Sequence, residues 1–98
     1  MIKKKARSET RLAVAWYSAE EWEKLRAVSA DAAKLEPTYA EWLAHGEMAM
    51  QEAKRVGLEV VKVDVAVEEL TAWCRKKGLQ IDGRARARYA AERADGIA

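Results

Sequence analysis

His45 is the only histidine in the chain, and it follows Glu41 by four residues. On a helix that spacing stacks the two side chains on one face, where a carboxylate can orient an imidazole. Such a pair can act as a general base, and imidazole is also a common metal ligand. A zinc site, however, needs three or four protein ligands, and neither HExxH nor paired cysteines occurs. A surface or partly packed histidine is the plainer reading. Cys74 is the one cysteine, and it precedes Arg75, Lys76 and Lys77. Positive neighbours depress a thiol pKa and make a nucleophile. On a helix those three side chains point elsewhere, while Cys74 sits beside Trp73 on an apolar stripe. Core packing is the expectation.

The carboxylates form no recognisable acid–base pair. Glu20, Glu21 and Glu23 gather at one helix start, and Glu68 and Glu69 at another, where negative charge favours the helix dipole. Asp64 and Asp82 read as caps or turn residues. Gly78, Gly83 and Gly96 are too scattered to cradle a phosphate. Ser8, Ser18 and Ser29 lack a nucleophile elbow. No catalytic residue, cofactor or metal site is assigned. An enzyme stands behind the binding classes.

Arginine is concentrated near the C-terminus as Arg84, Arg86, Arg88 and Arg93. Residues 67–78, the turn KKGLQID and the last helix could pass for a helix-turn-helix, with those arginines as nucleic-acid contacts. Nearby Glu68, Glu69, Glu92 and Asp95 dilute the positive field, and a basic helix is usually a solvated face. The net charge is only +2. Trp16, Trp22, Trp42 and Trp73 could converge in an aromatic cage, although rings at helix and strand spacing are more often core. Trp22 and Trp73 are expected to be buried and Trp42 partly exposed. Tyr39, Trp42 and His45 are accordingly the candidate protein interface.

The elements that position these side chains follow from periodicity. RLAVAWY (11–17) alternates Leu12, Val14 and Trp16 against Ala13, Ala15 and Tyr17, the pattern of a strand. Ser18 and Glu21 form a capping box that starts a helix carrying Trp22 and Leu25. Pro37 disfavours a helical Glu36 and sets a boundary. Thr38 and Glu41 open the clearest helix, over 38–57. Its stripe is Tyr39, Leu43, Met50, Ala53 and Val56, with Trp42 at the edge and Gly57 at its end. Gly46 lies on that stripe, where a glycine implies close approach of another element.

LEVVKVDV (58–65) is a second strand. VEELTAWCRKKG (67–78) is a third helix, with Asp64 or a neighbour near its start and a stripe of Val67, Leu70, Trp73 and Cys74. Asp82 caps a last helix whose Ala87, Ala90, Ala91 and Ala94 share a face of low relief. The order is β-α-α-β-α-α, an α/β (α+β) fold with a small two-stranded sheet. A connection of two helices favours a parallel strand pair. Such a ribbon is marginal and has exposed edges. Either helices cover them within the monomer, or a twofold copy pairs with one.

The chain is 98 residues long, which suits one domain over 11–98 behind a flexible basic segment at 1–10. Half of it is hydrophobic and 35% charged, an ordinary globular balance. No apolar run approaches a membrane span, and the N-terminus does not read as a secretory signal. The single cysteine fits a reducing compartment. Cytoplasmic localisation is therefore expected.

The stretches AWYSAEEWEKL, LEPTYAEWLAHGE, GLEVVKVDV and LTAWCRKKGLQIDGRARARYAAE resemble a family of small uncharacterised bacterial proteins. The likeness runs from Leu12 to Arg93, with TYAEWL (38–43) and AWCRKKGL (72–79) its most distinctive pieces. It implies a bacterial, cytoplasmic, single-domain protein and nothing about mechanism. From the residues, the leading expectation is a non-catalytic interaction or accessory domain that forms a homodimer. A nucleic-acid-binding regulator is second, and an enzyme or small-ligand binder with a Trp-lined pocket is third. Membrane association is not expected. A pocket lined by the tryptophans and reached by His45 would add weight to the third reading.

Overall fold

The computed structural model describes residues 11–97, and the N-terminal basic segment lies outside the described residues. The chain runs β1 (Arg11–Trp16), α1 (Ala19–Val28), a short 3-10 turn (Ala32–Lys34) and α2 (Tyr39–Arg55). It continues through β2 (Glu59–Asp64), α3 (Val67–Lys77) and α4 (Gly83–Ile97). This is the expected mixed α/β order.

The two strands pair in parallel, with Leu12 opposite Val60, Ala13 opposite Val61 and Ala15 opposite Val63. The Val65 N–H donates to the Trp16 carbonyl and continues the ladder beyond β2. The parallel direction follows from the crossover, because the helical connection returns the chain to the end where β1 began. α4 lies against both strands and α2 against β2.

Ala13, Ala15, Val61 and Val63 share one sheet face and belong to the main core. That core also takes Trp22 and Leu25 from α1, Leu70 and Cys74 from α3, and Ala85, Tyr89, Ala90 and Ala94 from α4. The small Ala13 and Ala15 side chains let α4 approach the sheet closely. Tyr89 and Ala85 replace Ala87 and Ala91 on the buried face of α4, and the latter two are exposed. The expected stripe had Ala90 and Ala94 right but set the centre of the buried face about a quarter turn away. Val56 is likewise 60% exposed, because it already belongs to the turn that leaves α2.

The helix ends explain where each element stops. Gly57 (φ 96°) and Gly78 (φ 70°) adopt the left-handed backbone that closes α2 and α3. In each case the following residue donates back into the helix: Leu58 N–H to the Ala53 carbonyl, and Leu79 N–H to the Cys74 carbonyl. Asp82 Oδ1 accepts the Ala85 N–H, as expected of a cap. Asp64 does not cap α3. The residue before that helix is Ala66, which has no side chain to do it, and the Glu21 carboxylate from α1 accepts the Val67 N–H at 2.7 Å. No helix among the described residues is long and apolar enough to cross a membrane.

Candidate functional site

The aromatic residues gather where β1 ends and α1 and α2 begin. Tyr17 follows directly on β1, and Ser18 Oγ accepts the Glu21 N–H and starts α1. That start places Trp22 in the first full turn. Thr38 Oγ1 accepts the Glu41 N–H in the same way and starts α2, which places Trp42. Tyr39 Oη donates to the Tyr17 carbonyl at 2.9 Å and ties the two segments together.

Trp42 is the hub of this cluster. Its ring lies 4.8 Å from Trp16, 5.5 Å from Tyr17 and 5.5 Å from Tyr39. It stacks on Trp22 at 5.1 Å, with 25° between the planes. Gly46, one turn further along α2, makes room for Trp16: a Cβ there would sit 3.1–3.2 Å from the ring. Lys62 covers the same ring from β2, with its ammonium 4.4 Å from the centroid.

A cleft of about 340 Å³ opens beside this cluster. Its apolar wall includes Tyr17, Trp22, Leu35 and Trp42, and its polar groups are Glu36, His45 and Arg86. Arg86 reaches it from the first turn of α4. Its guanidinium donates to both carboxylate oxygens of Asp31, at 2.9 and 2.8 Å, and to Ser29 Oγ at 3.3 Å. The hydrogen bonds from Arg86 hold the Asp31 carboxyl below the usual carboxylate range.

His45 Nδ1 lies 2.9 Å from Glu36 Oε2. The expected Glu41 partner is instead engaged with the Thr38 hydroxyl. Hydrogen bonding from His45 lowers the Glu36 pKa. Burial raises the Tyr17 hydroxyl pKa to about 12.

Of the candidate interface residues, Trp42 and His45 line this cleft, while Tyr39 packs behind Trp42. Three of the tryptophans converge here. Trp73 does not: it stacks edge-on against Tyr89, donates its indole N–H to Glu92 and is only half-buried. The candidate nucleic-acid contacts divide into exposed Arg84, Arg88 and Arg93 and half-buried Arg86. Arg86 turns inward to Asp31, Arg88 pairs with Glu92 at 3.5 Å, and Arg93 pairs with Glu69 at 3.2 Å. Arg84 is exposed beside Gln80 and Arg88.

Cys74 is 1% exposed, and burial raises its thiol pKa, which leaves it inert packing. Among the described residues no group of three or more His, Cys, Asp or Glu side chains could hold a metal ion. Tyr17, Asp31, Glu36 and the inward turn of Arg86 escaped the sequence reading. Asp31 and Arg86 are 55 positions apart, and no local pattern joins them. Comparison with protein-family models, curated proteins and solved structures found no match.

Proposed function

We propose that the chain is a non-catalytic interaction domain that self-associates through the free edge of β1. The supporting observation is the sheet itself. It has only two strands among the described residues, and each has one unpaired edge. Unpaired edge N–H and C=O groups are a template for another strand, and a two-stranded ribbon gains stability from further pairing. Leu12, on β1, is 38% exposed, and its neighbours on that face, Val14 and Val60, are only half-buried. Pairing of β1 with its twofold copy makes a four-stranded sheet and sets Leu12 beside a cross-strand neighbour on the same face.

The charge arrangement supports this reading over a nucleic-acid regulator. Arg86, Arg88 and Arg93 are each matched to a carboxylate of the same chain. A buried free thiol suits a reducing bacterial cytoplasm.

Light scattering across a dilution series tests the proposal. The expected mass is twice the 11.0 kDa of one chain, and Leu12→Lys should return it to one chain. A wild-type mass of 11.0 kDa at every concentration would overturn self-association.

A further inference from the structure

The direction of the backbone groups along β1 restricts how a second strand can pair with it. The Val65 N–H donates to the Trp16 carbonyl, so the backbone groups of Trp16 face β2. These groups alternate sides along a strand, so those of Leu12 and Val14 also face β2. Those of Arg11, Ala13 and Ala15 point to the free edge, where no strand meets them among the described residues. The edge closes at the next residue of this series, because the Tyr17 carbonyl already accepts the Tyr39 hydroxyl at 2.9 Å.

A twofold-related strand at this edge runs antiparallel. Arg11, Ala13 and Ala15 all find partners within the same set in one register alone. Ala13 then lies opposite its own copy, and Arg11 opposite the partner's Ala15. Leu12 falls opposite the partner's Val14, as a non-hydrogen-bonded pair.

The helix beside the edge suits this arrangement. α4 runs along β1, with Asp95 bonded to Arg11 at 2.8 Å. Ala91 and Ala94 share a small cavity with Ala13, and Ala87 lines the aromatic cleft together with Ala15. Ala87 and Ala91 are exposed on this flank of α4. A strand added at a spacing of about 4.8 Å carries its own α4 onto the same sheet face. Helices pack about 8–10 Å apart according to the side chains between them, and alanine permits the close end of that range. A large side chain at either position would hold the strands apart.

We propose that two copies pair through β1 in the antiparallel register centred on Ala13, with their α4 helices meeting through Ala87 and Ala91. This arrangement rests on self-association through β1 and adds to it a register and a second contact.

Disulfide trapping reads the register. Leu12→Cys and Val14→Cys proteins are mixed in reduced form, allowed to exchange subunits and then oxidised. The mixture should give a linked dimer on a non-reducing gel, and neither variant alone should do so. Opposed residues of such a pair lie about 4.5 Å apart at Cα, within disulfide reach, whereas the diagonal neighbours at about 7–8 Å are beyond it. Cys74 is buried and stays out of the reaction. Ala91→Lys should fold, since Ala91 is exposed, and should weaken dimerisation roughly tenfold or more in a dilution series.

Linkage of either variant alone would overturn the register, as would a mixture that does not link. Unchanged dissociation of Ala91→Lys would overturn the α4 contact. A wild-type mass of two chains without trapping refutes this arrangement alone. A wild-type mass of one chain refutes self-association as well.

Discussion

Glu21 Oε1 accepts the backbone N–H of Val67 at 2.7 Å across 46 positions of sequence. One carboxylate at the start of α1 thereby caps α3, whose preceding residue is an alanine. The N–H groups of a first helical turn have no partner within the helix, so a carboxylate there satisfies both hydrogen bond and dipole. The same bond is the leading cause of a lowered Glu21 pKa. A carboxylate with a depressed folded-state pKa stabilises above its unfolded pKa, and that contribution disappears as pH falls through the folded value. Glu21→Ala should therefore accelerate hydrogen exchange at the Val67 amide at neutral pH. The difference from wild type should vanish in acid. Unchanged exchange at neutral pH would mean that the cap contributes nothing.

Gly46 and Trp16 are matched in the opposite sense, by what one of them lacks. The ring is held between Lys62 and Trp42 and has little room to retreat from a new side chain. Gly46→Leu should destabilise by about 1–3 kcal/mol, the usual cost of overpacking. Gly46→Ala should be nearly neutral, because about 1 kcal/mol of helix propensity offsets the tight contact at 3.1 Å. Thermal melts of the two variants separate these effects. Equal melting temperatures would show that the ring moves aside freely.

Tyr17 should make the fold sensitive to alkali. Its hydroxyl is raised by burial to about 12, from 10.0. For a group with a raised folded-state pKa, stability is intact below the unfolded pKa and is lost as pH climbs through the folded value. The unfolding free energy from denaturant titrations should fall between pH 10 and about 12, by an amount on the order of 2–3 kcal/mol. Tyr17→Phe should flatten that part of the profile. Near neutrality it should equal or exceed wild type, since it deletes an unpaired buried hydroxyl.

Trp22 and Trp73 should respond unequally to truncation. Trp22 is 1% exposed and stacked on Trp42, so Trp22→Ala should cost about 3–5 kcal/mol. Trp73→Ala should cost less, because its ring is half-buried and flanked by Lys77 and Arg88. Urea unfolding of both variants provides the ranking. A larger loss at Trp73 would move the energetic centre of the core to the α3–α4 contact.

Local signals made most of the architecture legible. Ser18, Thr38 and Asp82 mark helix starts, and each does so in the structure. Gly57 and Gly78 mark helix ends, because a backbone with positive φ is costly for any other residue. Alternation in RLAVAWY and LEVVKVDV indicated two strands, and the helical crossover indicated their direction. Each of these signals acts over a few residues, so the sequence by itself determined the elements, their order and the parallel pairing.

Only the tertiary structure decided the partners. Glu41 is four residues from His45, yet Glu36 is the carboxylate that reaches it, because the chain bends back at Pro37. Glu21 was expected to close its own capping box and instead serves α3. Arg86 was grouped with exposed arginines and instead binds Asp31, while Trp73 left the company of the other tryptophans. Side-chain geometry on one helix cannot specify which distant groups will meet it. Those meetings depend on how α1, α2 and α4 pack together around the end of β1, and the cleft exists only there.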